Sequence, residues 1–173
     1  MTRLIGLDPG LRFMGWGVIE AEGNRLSHIA DGVLATDSAE SVPQRLCVLH
    51  DGLKELIERF APAEAAIEET YVNRNGASTL KLGYARGVAL LVPALLGVSV
   101  SEYGAKSVKR SIVGTGAATK EQVTMMVKRL LPGAVIKRAD ASDALAVAIC
   151  HAHFRATACH VAQGIVMAGG RGI

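Results

Sequence analysis

The first 36 residues alternate short apolar runs with turn residues, which is the pattern of consecutive β-strands. Residues 4–7 form an apolar run that ends before Pro9-Gly10, a turn dipeptide, and residues 16–21 form the next run. Gly23-Asn24 predicts a tight turn before a third strand over residues 25–36. Three successive strands joined by short connections predict an antiparallel meander.

Apolar residues at helical spacing begin after this meander. The first stripe consists of Leu46, Leu49, Leu53, Leu56, Ile57 and Phe60. Ser41 stands where an N-cap belongs, Pro43 falls in the first turn, and Pro62 lies just past the last turn. A second helix, over residues 78–96, carries small residues that allow close packing or a dimer face.

The later segments alternate between strand and helix. Two further strands are predicted over residues 65–67 and 98–103. Three further helices are predicted over residues 105–112, 119–130 and 141–156. A meander followed by strand and helix units predicts an α/β fold, in which helices flank a mixed five-stranded sheet.

The length of 173 residues fits one domain, which buries about 70% of the surface of its extended chain. We assign residues 1–157 to this domain and expect residues 158–173, which are Gly-rich and weakly periodic, to form a flexible tail. The three cysteines lack metal-binding or redox spacing, which predicts reduced packing residues of a cytoplasmic protein. The chain starts without a signal-peptide pattern, and its longest apolar run, residues 88–98, is shorter than the roughly 20 residues that cross a bilayer.

Charge is unevenly distributed along the chain. Residues 1–70 hold 6 basic and 12 acidic side chains, whereas residues 71–173 hold 13 basic and 4 acidic ones. Eight of the basic residues and a single acid, Glu121, fall between positions 104 and 138. This concentration fits a surface that binds a phosphate backbone, since each neutralised phosphate releases counterions. The alternative is a solvated helix face.

Four carboxylates stand where predicted elements begin or end. Asp8 follows the first strand, Glu68 follows the fourth, and Asp140 and Asp143 lie three residues apart at the start of the last helix. Each has an ordinary alternative, because Asp beside a turn accepts backbone hydrogen bonds and acids cap helices. If the four converge, they form an all-oxygen site that needs cations such as Mg²⁺ or Mn²⁺ to stay ionised.

Two Mg²⁺ ions at such a site would serve the attacking and leaving oxygens of an in-line phosphoryl displacement. The residues therefore favour phosphodiester hydrolysis. One rival is an actin-like or sugar-kinase-like ATPase lobe, whose phosphate hairpin also begins with Asp-x-Gly but which needs a second lobe that this chain is too short to contain. The other is a non-catalytic module that binds branched DNA through the basic half, although four acids without metal would repel DNA.

A series of motifs follows in order over residues 3–155. They are Leu4-Ile5-Gly6-Leu7-Asp8-Pro9-Gly10, Gly15-Trp16-Gly17-Val18, Ala66-Ile67-Glu68-Glu69, Leu80-Lys81-Leu82-Gly83, Ala85-Arg86-Gly87-Val88, Val108-Lys109, Gly114-Thr115-Gly116, Lys120-Glu121-Gln122-Val123 and Ala139-Asp140-Ala141-Ser142-Asp143-Ala144-Leu145-Ala146. Together they resemble the RuvC family of bacterial Holliday junction resolvases. The first strand alone is weak evidence, whereas the ordered set is specific.

The resemblance implies a ribonuclease H-like fold and a homodimer that makes paired nicks in a four-way DNA junction during homologous recombination and DNA repair. The nicks would leave 5′-phosphate and 3′-hydroxyl ends. Asp8, Glu68, Asp140 and Asp143 match the family's catalytic acids, which would hold two Mg²⁺ ions or Mn²⁺ in their place. We prefer Glu68 to Glu69 because it follows Ala66-Ile67. The resemblance also implies RuvA and RuvB, the branch-migration complex, as partners.

The DNA-binding residues suggested by this resemblance are Tyr71, Arg74, Lys81, Lys106, Lys109 and Lys120. Lys109 and Lys120 match basic positions near the scissile phosphate. Tyr71 matches an aromatic position, often Phe in the family, that can stack on an unpaired base. We also expect Gly15 and Gly17 to keep bulk away from an approaching DNA strand.

Two short motifs resemble other sites without matching them. His151 and His153 follow Cys150, but on a helix the two side chains point to different faces, which disfavours a zinc site. Gly114-Thr115-Gly116 lacks the spacing of a P-loop before Lys120, so we expect a mobile loop beside DNA.

Overall fold

The computed structural model of the chain describes residues 1–69 and 76–169. Its elements, in chain order, are β1 (Thr2–Asp8), β2 (Phe13–Glu22), β3 (Arg25–Ala35), α1 (Val42–Phe60), β4 (Glu64–Glu69), α2 (Gly76–Leu95), β5 (Ser99–Gly104), α3 (Ala105–Val113), α4 (Lys120–Leu130) and α5 (Ala139–Gly169). The five strands form one sheet in the order β3-β2-β1-β4-β5. β1 runs antiparallel to β2 and parallel to β4, so the predicted mixed sheet is confirmed.

Both faces of the sheet are covered by helices. Successive side chains of a strand point to opposite faces, and the central strand β1 follows this rule. Leu4 packs into the cluster that contains α3, α4 and α5 residues, whereas Ile5 and Leu7 pack into the cluster formed with α1 and α2. Since β1 is buried on both faces, Asp8 at its end is held by a rigid strand.

Glycines on the central strands let α5 lie directly on the sheet. A Cβ on Gly15 would come within 2.0 Å of the Asp140 carbonyl oxygen, and one on Gly6 within 2.1 Å of the Ala144 carbonyl oxygen. A Cβ on Gly17 would meet the Leu145 side chain at 2.6 Å. The prediction that Gly15 and Gly17 make room for DNA is therefore wrong, because the start of α5 occupies that space.

Capping residues begin the helices as predicted. Ser41 and Thr119 stand at the N-caps of α1 and α4, and the Thr119 amide donates to Gln122 Oε1 at 2.9 Å. The predicted end of the last helix at residue 156 is wrong, since α5 continues through Gly169. The extension contains no proline, and its one glycine before the terminal Gly169 is Gly164, which costs a helix about 1 kcal/mol relative to alanine. The domain boundary after residue 157 stays a prediction.

The cysteines do not all pack in the core. Cys47, Cys150 and Cys159 are unpaired, as predicted, but only Cys150 is buried. Burial raises the pKa of its thiol to about 11, which keeps it in the neutral form. Within the two described ranges, no helix is long and apolar enough to cross a membrane.

Candidate active site

A cleft of about 280 Å³ opens at the carboxyl end of the central strands. Three acids and two lysines line it together with small and apolar side chains: Asp8, Glu68, Asp143, Lys109 and Lys120. The sequence predicted all five as site residues. The structure therefore brings together residues that are up to 135 positions apart in the chain.

The sheet register places the first two acids. β1 and β4 are parallel, and Leu7 pairs with Ile67, so Asp8 and Glu68 follow at the same edge of the sheet. Asp143 reaches this edge from the first turns of α5, which packs against the glycines of β1 and β2. Glu68, and not Glu69, lines the cleft, in agreement with the preference stated above.

The fourth acid stands slightly apart. Asp140 does not line the cleft, and its Oδ2 accepts hydrogen bonds from Arg138 Nη2 at 3.1 Å and Nε at 3.3 Å. The Arg138 guanidinium also lies 4.0 Å from the centre of the Phe13 ring. Sequence reasoning did not assign Arg138 this role, although an Arg two residues before an Asp is a signal for a local ion pair. The charge of Asp140 still reaches Asp8, whose pKa it raises.

Burial and repulsion from neighbouring carboxylates raise the pKa of two of the acids, Asp8 and Glu68. The pKa of Asp8 is raised to about 7, first by burial and then by the charges of Glu68, Asp143 and Asp140. The pKa of Glu68 is also raised, first by burial and then by Asp143. Lys120 opposes both shifts. Carboxylates in this state gain much from a cation that takes the place of the proton.

Lys120 neutralises one of the acids directly. Its ammonium group donates to Asp143 Oδ2 at 3.0 Å, and this hydrogen bond is the main reason that the pKa of Lys120 is raised. Lys109 lines the cleft from α3, and no ion pair joins it to a carboxylate among residues 1–69 and 79–159. The cleft thus holds one lysine that is ion-paired and one that acts on Glu68 only through its electrostatic field.

The remaining predicted DNA-binding residues are more dispersed. Lys106 is exposed on the first turn of α3, beside Gly116, and Lys81 is exposed on α2. Neither lines the acidic cleft. Tyr71 and Arg74 lie outside the described residues.

The two late histidines make separate contacts, as predicted. His151 is buried, where its ring nitrogens lie 2.7 Å from Tyr103 Oη and 2.9 Å from Glu64 Oε2. His153 Nδ1 instead lies 3.0 Å from Ser111 Oγ. The prediction that they point to different faces of the helix is confirmed.

The donor set of the cleft fits a hard divalent cation, because it consists of carboxylate oxygens held beside one another in a partly buried site. Among the side chains that the structure describes, however, no three His, Cys, Asp or Glu residues stand close enough to hold one ion together. Two of the acids, Asp140 and Asp143, are engaged by Arg138 and Lys120. The metal-ligand roles of the four acids therefore remain predictions.

Comparisons with known proteins identify the family of this chain. Residues 4–151 match the family model described as crossover junction endodeoxyribonuclease RuvC. The RuvC of Gluconobacter oxydans is 72% identical over 168 residues, which cover 97% of this chain and 100% of the relative. That of Rhodospirillum rubrum is 57% identical over 168 residues, or 97% and 98% of the two chains.

Solved structures match the fold as well. Thermus thermophilus RuvC in complex with a Holliday junction substrate gives a TM-score of 0.85 at 30% identity, covering 91% of this chain and 97% of that one. A yeast mitochondrial Holliday junction resolvase, at 14% identity and a TM-score of 0.65 over 92% and 82% of the two chains, shares the fold. The ribonuclease H-like fold predicted above is confirmed by these matches. The chain belongs to the RuvC family of crossover junction endodeoxyribonucleases.

Proposed function

We propose that the acidic cleft hydrolyses phosphodiester bonds in four-way DNA junctions, with divalent metal ions as cofactors. The observation that carries this proposal is the meeting of Asp8, Glu68 and Asp143 with Lys109 and Lys120 in one cleft. A RuvC at 30% identity was solved with a Holliday junction substrate. As a member of this family the chain is a phosphodiester hydrolase, which acts in DNA recombination and repair.

The four acids would hold the metal, which we propose to be two Mg²⁺ ions per site with Mn²⁺ able to substitute. When bound, these ions would activate the attacking water and stabilise the leaving 3′ oxygen. Asp8 and Glu68 are ready to exchange a proton for a cation, because burial raises the pKa of both. To bind metal, Asp143 would release Lys120 and Asp140 would release Arg138, so metal binding competes with two ion pairs.

The lysines of the cleft would hold the DNA. Lys109 would contact the phosphate next to the cleaved bond, because it lines the cleft and forms no ion pair with any carboxylate described by the structure. Lys120 would contact the backbone once Asp143 binds metal. Lys81, Lys106, Tyr71 and Arg74 remain proposed contacts of more distant DNA. The products would carry 5′-phosphate and 3′-hydroxyl ends.

Two coordinated nicks require two active sites, so we propose a C₂ homodimer. Leu80, Tyr84, Leu91 and Leu95 of α2 are exposed, and their spacing of four, seven and four residues places them on one helix face. A Cβ on Gly87, between them, would meet no atom within 4 Å, so a partner backbone can approach closely. We also propose a cytoplasmic location and RuvA and RuvB as partners.

The test is cleavage of a synthetic four-way junction by the purified protein with Mg²⁺. We expect paired nicks from the natural chain and no nicks from Asp8→Asn, which should still bind the junction because no phosphate contact is removed. Hydrolysis of ATP without junction cleavage would favour the ATPase alternative. Binding without cleavage by the natural chain would favour the non-catalytic module.

A further inference from the structure

A groove of about 520 Å³ leads away from the acidic cleft along α4. One wall is formed by the α4 side chains of Lys120, Glu121, Thr124, Met125 and Lys128, and the other by Ala139 and Asp143 at the start of α5. Lys120 and Asp143 line both the groove and the cleft. A DNA strand with one phosphate in the cleft therefore has a direct path into the groove.

The groove presents its polar side chains in a row. Lys120, Thr124 and Lys128 follow one another at four-residue spacing, so they lie on one face of α4. At about 1.5 Å of rise per residue, the row is about 12 Å long. One strand of DNA advances about 3.4 Å along the axis for each phosphate. The row therefore corresponds to about three nucleotides.

The hydroxyl of Thr124 lies beside that of Ser142 and can also donate to a ligand. Ser142, which is only 1% exposed, donates its hydroxyl proton to Thr124 Oγ1 at 3.3 Å. Because Thr124 Oγ1 accepts this bond, its own proton is free to be donated into the groove. Ser142 directly precedes Asp143, so one turn of α5 positions both a cleft acid and this hydroxyl.

The charge distribution favours phosphate binding at the end of the groove that lies away from the cleft. Glu121 and Asp143 lie at the cleft end, where Lys120 already pairs with Asp143. Lys128 is exposed at the other end and forms no ion pair with a carboxylate of the described side chains. Met125 stands between the two ends and is 63% exposed, which leaves a flexible apolar side chain open to a ligand.

We propose that this groove binds the sugar–phosphate backbone of the cleaved strand, with Lys128 and Thr124 contacting a phosphate about three nucleotides from the cleaved bond. Met125 packs against the deoxyribose next to that phosphate. The proposal rests on the proposed function, since it assumes that the scissile phosphate occupies the cleft.

The test combines protein variants with junctions that carry one uncharged methylphosphonate. The full chain is used without divalent metal, so that binding is measured without cleavage, and the modification is placed two to four nucleotides on either side of the mapped cleavage site. We expect one position at which the natural chain loses affinity about 3- to 10-fold. Lys128→Ala should show a similar loss on the unmodified junction and no further loss at that position.

Matched variants separate this contact from general charge. Arg129→Ala removes the same charge from the next residue, which does not line the groove, and should keep its sensitivity to the modified phosphate. Lys128→Ala should lower the slope of log affinity against log salt by about 0.9, as expected for one lost phosphate contact. Thr124→Val should weaken binding, whereas Thr124→Ser should restore it.

Two kinds of result would overturn the proposal. One is that Lys128→Ala binds the unmodified junction as tightly as the natural chain does. The other is that, at every position tested, a methylphosphonate lowers the junction affinity of Lys128→Ala by the same factor as that of the natural chain. Failure of the natural chain to cut the unmodified junction with Mg²⁺ is a different result, which would overturn the proposed function. The two failures are therefore distinguishable.

Discussion

Asp8 is the residue at which burial and charge conflict most strongly. Its pKa rises from 3.8 to about 7 in the metal-free fold. Between these values the folded protein holds a proton that the unfolded chain has released, so stability falls as the pH rises towards 7. Each pKa unit corresponds to about 1.4 kcal/mol, so the loss approaches about 4 kcal/mol. The strand end is thus less stable at neutral pH than it would be with an uncharged side chain.

We predict that Asp8→Asn raises the melting temperature of the metal-free protein at pH 8 by several degrees and leaves it nearly unchanged at pH 4. Asparagine keeps the shape of the side chain and removes the charge that appears above the folded pKa. Calorimetry in the presence of a chelator measures the difference. Equal melting temperatures at pH 8 would show that the Asp8 carboxylate is not destabilised by its surroundings.

Lys109 lines the cleft and forms no ion pair with a described carboxylate, although its charge lowers the pKa of Glu68 against the larger effect of burial. We predict that Lys109→Ala weakens junction binding and lowers the salt dependence of log affinity by about 0.9, because one phosphate contact is lost. Arg25→Ala is the control, since Arg25 is an exposed cation at the end of the sheet opposite Asp8. Fluorescence titration over a range of salt concentrations gives both slopes, and an unchanged slope for Lys109→Ala would remove this lysine from the DNA contacts.

Among the secondary-structure elements, the placement of α5 determines whether Asp143 meets the acids at the strand ends. Gly6 lets the α5 backbone approach β1, because a Cβ there would lie 2.1 Å from the Ala144 carbonyl oxygen and 2.7 Å from the Ala148 nitrogen. Both atoms belong to a helix backbone and cannot turn away. Any side chain on Gly6 must therefore push α5, and Asp143 with it, away from the strand ends.

We predict that Gly6→Ala lowers stability by about 1 to 3 kcal/mol, the usual cost of overpacking, and reduces cleavage more than junction binding. Gly52→Ala is a suitable control, because Gly52 lies on α1, outside the cleft and the proposed dimer face, and the atoms nearest to a Cβ there belong to the Leu34 side chain and not to a backbone. Thermal melting and single-turnover cleavage are the measurements. Wild-type stability for Gly6→Ala would mean that α5 does not lie as close to β1 as described.

Local signals predicted most element boundaries. The caps at Ser41 and Thr119 and the turn at Gly23-Asn24 specify where elements begin, and such signals act within a few residues. The role of Gly15 was beyond their reach, since only the packed helix shows what the absent Cβ would touch. The extension of α5 was also missed, because weak apolar periodicity does not prevent a helix.

Across the whole molecule, the sequence predicted which residues belong to the site but not the contacts that each of them makes. The sequence placed Asp8 and Glu68 after predicted strands but left open whether they meet, which depends on β1 and β4 being parallel neighbours that end at one edge of the sheet. The separation of Asp140 from the cleft depends on the Arg138 side chain and its contact with Phe13. Such contacts involve rotamers and distant residues, which a single sequence does not reveal.

The proposed dimer predicts how a substitution on α2 changes the oligomeric state. Leu91→Glu should convert the protein to a monomer and abolish paired nicks, because a charge on the exposed face of α2 cannot be buried against a second copy. Val135→Glu is the control, as Val135 is 75% exposed and lies outside α2. Sedimentation velocity reports the mass, and a dimer that persists in Leu91→Glu would place the interface elsewhere.

We propose above that the acids at the carboxyl end of β1 and β4 form a metal-dependent catalytic site. The most direct measurement is the anomalous scattering of Mn²⁺ in crystals of the protein, grown at a pH above 7 so that Asp8 is ionised. We predict anomalous peaks in the cleft between Asp8, Glu68 and Asp143, close to Asp140. A cleft without anomalous peaks at Mn²⁺ concentrations that support junction cleavage would contradict it.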